Sequence, residues 1–202
     1  AQDAEVVIAP EREHRVDVDA LMARVAARDA VAFRTIVERH LTSVHRVAYR
    51  MLGDAAGAED VAQEALLRLW DHAGRWQSGG TGVGAWLRRV ATNLCLDRLR
   101  RQKFSGGHEI PDLADEAPRA DQQMEADQMR EATRQCMGQL PDRQRAAIVL
   151  TYYEDRPNAE AAAVLDMNIK AFESLLLRAR QTLRRIFEEK GLVPEIFGKA
   201  GQ

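Results

Sequence analysis

Residues 157–185 read PNAEAAAVLDMNIKAFESLLLRARQTLRR, and this stretch decides the fold. Pro157-Asn158 stops one helix and opens the next, with Asn158 placed to act as N-cap. A short apolar helix, Ala159 to Leu165, is followed by the turn Asp166-Met167-Asn168 and a longer helix from Ile169. Short helix, tight turn, longer helix is the helix-turn-helix arrangement, whose second helix enters the DNA major groove. On that long helix Phe172, Leu176, Ala179 and Leu183 share one face and are expected to pack inward. The other face presents Lys170, Glu173, Ser174, Leu177, Arg178, Gln181, Arg184 and Arg185. Polar groups near the N-terminus of the helix suit base edges, and the later arginines suit phosphates. An ordinary helical hairpin with a solvated basic face would show the same pattern.

Composition extends the helical reading to the whole chain, because Ala, Leu, Arg, Glu and Gln dominate and aromatic residues make up only 5%. Net charge is −2, from 29 Lys+Arg against 31 Asp+Glu, so a nucleic-acid signal has to lie in where the charges sit. Cys95 and Cys136 are far apart and form no CxxC or CxxH, which argues against a disulfide framework or a zinc site and fits a reducing, cytoplasmic location. Among His14, His40, His45, His72 and His108 no pair has ligand-like spacing; the five-residue step from His40 to His45 is poor for shared coordination. Glu59, Asp60 and Glu64 have no basic or metal partner in the pattern. No catalytic residue, metal, cofactor or small-molecule substrate is expected. With no apolar run of membrane-spanning length and no signal sequence, neither membrane insertion nor export is expected.

Charge is segregated along the chain. Residues 1–19 form an acidic leader. Phe33, Ile36, Val37, Val44, Val47, Ala48, Met51 and Leu52 then recur at steps of three and four, a long amphipathic helix that Gly53-Asp54 ends. A second helix covers Ala58 to Trp70, a Gly-rich loop runs through residues 77–82, and a third helix extends from Val83 to Lys103. Residues 105–125 contain Gly106-Gly107, Pro111, Pro118 and six acids against Arg119 alone, a composition that cannot support a core. The expected architecture is all-α: two small helical domains, at 20–104 and 126–189, joined by a flexible acidic linker at 105–125, with a tail at 190–202.

The third helix carries the strongest charge signal. Trp86, Leu87, Val90, Ala91 and Leu94 face the core, and Arg89, Thr92, Asn93, Leu96, Arg100 and Lys103 lie across from them. From Trp86 to Lys103 six basic residues meet one acid, Asp97, a local charge of +5. A solvated face stabilised by ion pairs would interleave acids, so this helix reads as a footprint for phosphates. Just upstream, Arg75, Trp76 and the Gly-rich loop suit either a pocket for an unstacked base or a plain interhelix loop with a core tryptophan. On the second helix Asp60, Gln63, Glu64 and Leu67 lie opposite the apolar side; by periodicity alone they read as a solvated face with one stray leucine.

These residues together resemble the extracytoplasmic-function sigma factors, two-domain bacterial initiation factors of RNA polymerase. The resemblance is carried by residues 58–64 with Leu67-Arg68-Leu69-Trp70, by Ala85-Trp86-Leu87 and residues 91–101, by Leu140-Pro141-Asp142-Arg143-Gln144-Arg145 and by residues 178–184, in family order over about residues 20–188. Many members have Gly where this chain has Asp166 and a basic or polar residue where it has Leu175.

The resemblance implies roles. Asp60, Gln63, Glu64 and Leu67 would dock on the β′ clamp helices of core polymerase, which reverses the solvated-face reading, and the β flap would be a second polymerase contact. Arg75, Trp76, Arg89, Thr92, Asn93, Leu96, Arg100 and Lys103 would hold the −10 promoter element, with a flipped base captured by the loop. Lys170, Glu173, Ser174, Leu177, Arg178 and Arg184 would read the −35 element. An anti-sigma factor would hold the protein inactive until a stress signal. The rival reading is an effector-controlled helix-turn-helix regulator that acts without polymerase; the chain has no dimerisation heptad to support it.

Overall fold

A computed structural model of the chain describes residues 10–77, 80–104 and 121–192, without the side chains of 10–17 and 121–128. The described residues form eight α-helices and no strand: α1 Pro10–Ala26, α2 Ala30–Leu52, α3 Ala55–His72, α4 Val83–Phe104, α5 Asp121–Gly138, α6 Asp142–Ile148, α7 Asn158–Val164 and α8 Ile169–Glu189. A 3₁₀ turn, Ala73–Arg75, follows α3, and a wide π-type turn, Val149–Tyr153, follows α6.

The helix ends follow from local chemistry. Asp29 caps α2 by accepting from the N–H groups of Val31 and Ala32, and Asp54 caps α3 by accepting from Ala56 and Gly57. Between them Gly53, at φ +72°, ends α2 in the left-handed conformation that glycine adopts without a Cβ penalty. Asn168 caps α8 through Ala171 N–H. Asn158 does not act as the expected cap: it is the first residue of α7, preceded by Pro157, whose side chain has nothing to offer an orphan N–H. Two other boundaries shift. Helix α1 begins at Pro10, inside the acidic leader, and α5 begins at Asp121, within the stretch read as linker. Residues 105–120 of that linker, the start of the leader and most of the tail lie outside the described residues.

Helices α1–α4 share a core of Met22, Val25, Ile36, Val44, Val47, Met51, Val61, Leu69, Leu87 and Cys95. Ala58, Ala62 and Ala65 line the buried side of α3, and their small side chains let α3 approach its neighbours closely. Helices α5–α8 and the π-type turn bury Phe172, Leu150, Leu176, Ala179 and Leu183, which continue the same apolar cluster; truncating Phe172, fully buried, would cost about 3–5 kcal/mol. The two groups also pack on each other, α4 against α6 and α7, and α2 against α5, α6 and the π-type turn.

Candidate nucleic-acid interface

Helix α4 buries Leu87, Ala91, Cys95 and Leu99. Burial pushes the Cys95 thiol up to about 12, so it behaves as a small apolar side chain rather than a nucleophile. Asn93, Arg100, Arg101 and Lys103 are exposed along the other side of α4, as the period predicts. Its basic residues are not all turned to solvent as bare charges. Arg98 reaches inward to the Gly57 carbonyl at 2.9 Å and to Asp60 at 3.1 Å, and Arg100 pairs with Asp97 at 2.8 Å.

Two residues of the −10 set are not freely open to solvent. Thr92 is wholly buried and its hydroxyl has no partner, so it presents nothing to DNA in this arrangement. It lies next to Ala91 of the buried side of α4. Trp76 is half-buried against the core, and its indole N–H donates to Asp19 of α1 at 3.3 Å. Arg75 is exposed at the end of the 3₁₀ turn, and Leu96 is half-buried. Of the Gly-rich loop, Ser78 and Gly79 lie outside the described residues.

Helix α3 presents Asp60, Gln63, Glu64 and Leu67 to solvent. Leu67 is 58% exposed, flanked by the Glu64–Arg68 pair, which is an apolar anchor set in a polar rim. On α8 the expected inward face, Phe172, Leu176, Ala179 and Leu183, is buried, and Leu175 is buried beside it. Lys170, Glu173, Ser174, Leu177, Arg178 and Arg184 are all exposed. The triple leucine thus divides: Leu175 and Leu176 pack, and Leu177 faces out. The turn before α8 is held by Asp166 at φ +52°, with Arg143 donating to the preceding Leu165 carbonyl at 3.0 Å.

A seam between the two groups carries residues that the periodicity did not single out. Arg145, buried in α6, donates to the Met51 carbonyl at 2.6 Å and to the Gly138 carbonyl at 2.6 Å. Arg134 of α5 donates to the Gly53 carbonyl at 2.8 Å. Both guanidiniums thus serve the C-terminus of α2, where carbonyls lack helical partners and the helix dipole is negative. Glu154, buried at the end of the π-type turn, accepts from Ser43 at 2.9 Å and Arg46 at 2.8 Å, both on α2. Lys103 pairs with Asp142 at 2.7 Å, and Arg89 pairs with Asp166. Desolvation lowers the pKa of both Arg145 and Arg88. One signal for Arg145 was available: it lies three and four residues before Ile148 and Val149, a position that periodicity assigns to the core.

Known proteins share this arrangement of helices. Residues 36–105 match the family Sigma-70 region 2, and residues 130–183 match Sigma-70, region 4. The ECF RNA polymerase sigma factor SigM of Mycobacterium tuberculosis is 34% identical over 175 residues, covering 87% of this chain and 86% of the relative. SigK of Mycobacterium bovis is 29% identical over 178 residues, covering 85% and 94%. The fold is shared with CnrH, solved in complex with the cytosolic domain of CnrY (TM-score 0.64, 24% identity, 86% of this chain and 98% of that one). It is shared also with the sigma factor RpoE of Bartonella quintana, solved with the anti-sigma factor NepR (TM-score 0.60, 22% identity, 77% and 96%).

Proposed function

Because the chain belongs to the ECF RNA polymerase sigma factors, we propose a division of labour among its exposed surfaces. The α3 stripe of Asp60, Gln63, Glu64 and Leu67 docks on the β′ clamp helices of core polymerase, and the α5–α8 group docks on the β flap. Arg75, Arg89, Asn93, Leu96, Arg100 and Lys103 hold the −10 strand. Lys170, Glu173, Ser174, Leu177, Arg178 and Arg184 of α8 read the −35 duplex. The protein performs no catalysis of its own; it works in the cytoplasm on a stress regulon and is kept silent by an anti-sigma factor. RpoE and CnrH, which share its fold, were each solved with a partner protein, the partner of RpoE being an anti-sigma factor.

The observation that supports this reading best is the pairing, in one chain and in family order, of a basic α4 with a helix-turn-helix whose outward face is polar. Two weak readers carried by one polymerase gain avidity that neither has alone. Among the described residues no helix is long and apolar enough to cross a membrane. A regulator acting without polymerase would leave the region 2 match and the exposed Leu67 stripe without a role. Run-off transcription with purified core polymerase tests the proposal: promoter-dependent transcripts are expected, and their absence on every promoter tried overturns it.

A further inference from the structure

Asp19, the last residue of the stretch that composition marks as an acidic leader, lies half-buried on α1. Its carboxylate accepts from the indole N–H of Trp76 at 3.3 Å. Trp76 directly follows Arg75, and its backbone N–H closes the 3₁₀ turn on the Ala73 carbonyl at 3.1 Å. The start of the same segment is held from the other end of α1. Arg28, just past that end, donates to the Trp70 carbonyl at 3.3 Å, lies 5.1 Å over the Trp70 ring and comes within 3.9 Å of Asp71. It does so from a left-handed backbone, φ +64°, which a residue with a Cβ adopts at a cost. Phe33 packs edge-on against the same Trp70 ring at 4.9 Å. Between the two clamps Ala73 is buried and Arg75 is exposed.

We propose that Asp19 is a positioning residue for Arg75: acting through Trp76, it fixes the 3₁₀ turn so that the Arg75 guanidinium stands ready for a phosphate of the −10 strand. A three-residue 3₁₀ turn has poor hydrogen-bond geometry of its own, so its direction is set by what its ends are tied to. Tied at Trp70 and Asp71 by Arg28 and at Trp76 by Asp19, the turn leaves Arg75 only side-chain freedom to lose on binding. Ordering a contact beforehand lowers the cost of making it. A bond that merely fastened α1 would add little here, because Val18, Leu21, Met22 and Val25 already bury the inner face of that helix. On charge alone an acid beside this surface works against DNA. Its alignment of Arg75 works in favour of DNA, and two effects of opposite sign can be separated.

The proposal rests on the assignment of Arg75 to the −10 strand, and the experiment tells the two apart. Binding of the full chain to fluorescein-labelled oligothymidine is followed by anisotropy across a salt series. The wild type is compared with Asp19→Asn, Asp19→Leu, Arg75→Ala, and Asp19→Leu combined with Arg75→Ala. Asp19→Asn keeps an oxygen for the indole N–H and removes an acid, so it should bind at least as tightly as the wild type. Asp19→Leu removes the same charge together with the acceptor. It should bind about threefold more weakly at low salt, the weight of one exposed charge contact. Its salt slope should be shallower by about 0.7, one phosphate contact on a single strand. In the Arg75→Ala background Asp19→Leu should cost nothing further, a coupling that a purely structural bond would not show. Trp76→Phe deletes the donor and keeps a ring in the core; it takes the place of Asp19→Leu if that variant does not melt cooperatively by circular dichroism. Asp19→Leu binding as tightly as Asp19→Asn, or Trp76→Phe as tightly as the wild type, overturns the proposal, and so does a cost that persists in full without Arg75. If Arg75→Ala itself binds as the wild type does, Arg75 is no strand contact and the positioning role falls with that assignment.

Discussion

The Arg145 guanidinium of α6 donates to the backbone carbonyl of Met51, 2.6 Å away in the last turn of α2. It also reaches Gly138 and Leu140, so one buried cation ties the start of α6 to the preceding loop and to the other helical group. Hydrogen bonds from a charged donor are the stronger kind, and carbonyls left without one lose that stabilisation in full when buried. Replacing Arg145 with Met keeps the bulk and removes the donors. The expected loss is about 2 kcal/mol in urea denaturation, with the signal concentrated in the docking of the two groups.

Leu67→Asp should leave the fold intact. The side chain is mostly exposed, so stability should stay within about 0.5 kcal/mol of wild type. Association with core polymerase, read by co-elution in size-exclusion chromatography, should be lost first. Retained association removes α3 from the docking surface.

Arg100→Glu should do the reverse. Arg100 pairs only locally with Asp97, an exposed pair of little energetic weight, so its removal costs the fold almost nothing. Reversing its charge on the basic helix should abolish promoter opening, read by permanganate reactivity of unpaired thymines, while polymerase binding persists.

Position 166 separates backbone from carboxylate. Asp166→Ala keeps the left-handed strain and loses the pair with Arg89, whereas Asp166→Gly loses the pair and the strain together. The alanine variant should be the less stable of the two by about 1 kcal/mol, measured by thermal melting.

Asp29 gives the chain a pH-sensitive helix end. Its carboxylate accepts from the Ala32 N–H and from Arg24, and these bonds, the Ala32 one foremost, hold it below the ordinary carboxylate range. A folded value below the unfolded one means stabilisation that is present at neutral pH and lost as pH falls through the folded value. Asp29→Ala should therefore lower the melting temperature at neutral pH, and the two melting curves should converge in strong acid.

The helices and their apolar faces were legible in the sequence because both are local. The steps of three and four along α2, α3 and α8 mark the buried sides, and Gly53-Asp54 marks the turn between α2 and α3 through requirements of one or two residues. Thr92 and Trp76 are less open than the helical period alone suggests, for the opposite reason. Helical period tells which side of α4 turns from its own core, but not that a second helical group covers part of the far side, nor that Asp19, far away in the chain, takes the Trp76 indole N–H. Asn158 looked like a cap because its side chain is suited to one, yet the chain enters α7 one residue earlier. Glu154 left no mark at all. The first of two acids after a pair of tyrosines reads as a loop residue until Ser43 and Arg46 are brought to it.

Arg145 and Arg134 both address main-chain oxygens at the end of α2, at Met51 and Gly53, rather than particular side chains. Such a socket is indifferent to what is written at those positions, provided the helix stops there. Sequence drift at those two positions can proceed without undoing these two contacts, whereas Ser43, Arg46, Arg89 and Lys103 each meet a particular carboxylate of the second group. This part of the joint is interchangeable in the way a standard fitting is, set by where a helix ends and not by which side chains end it.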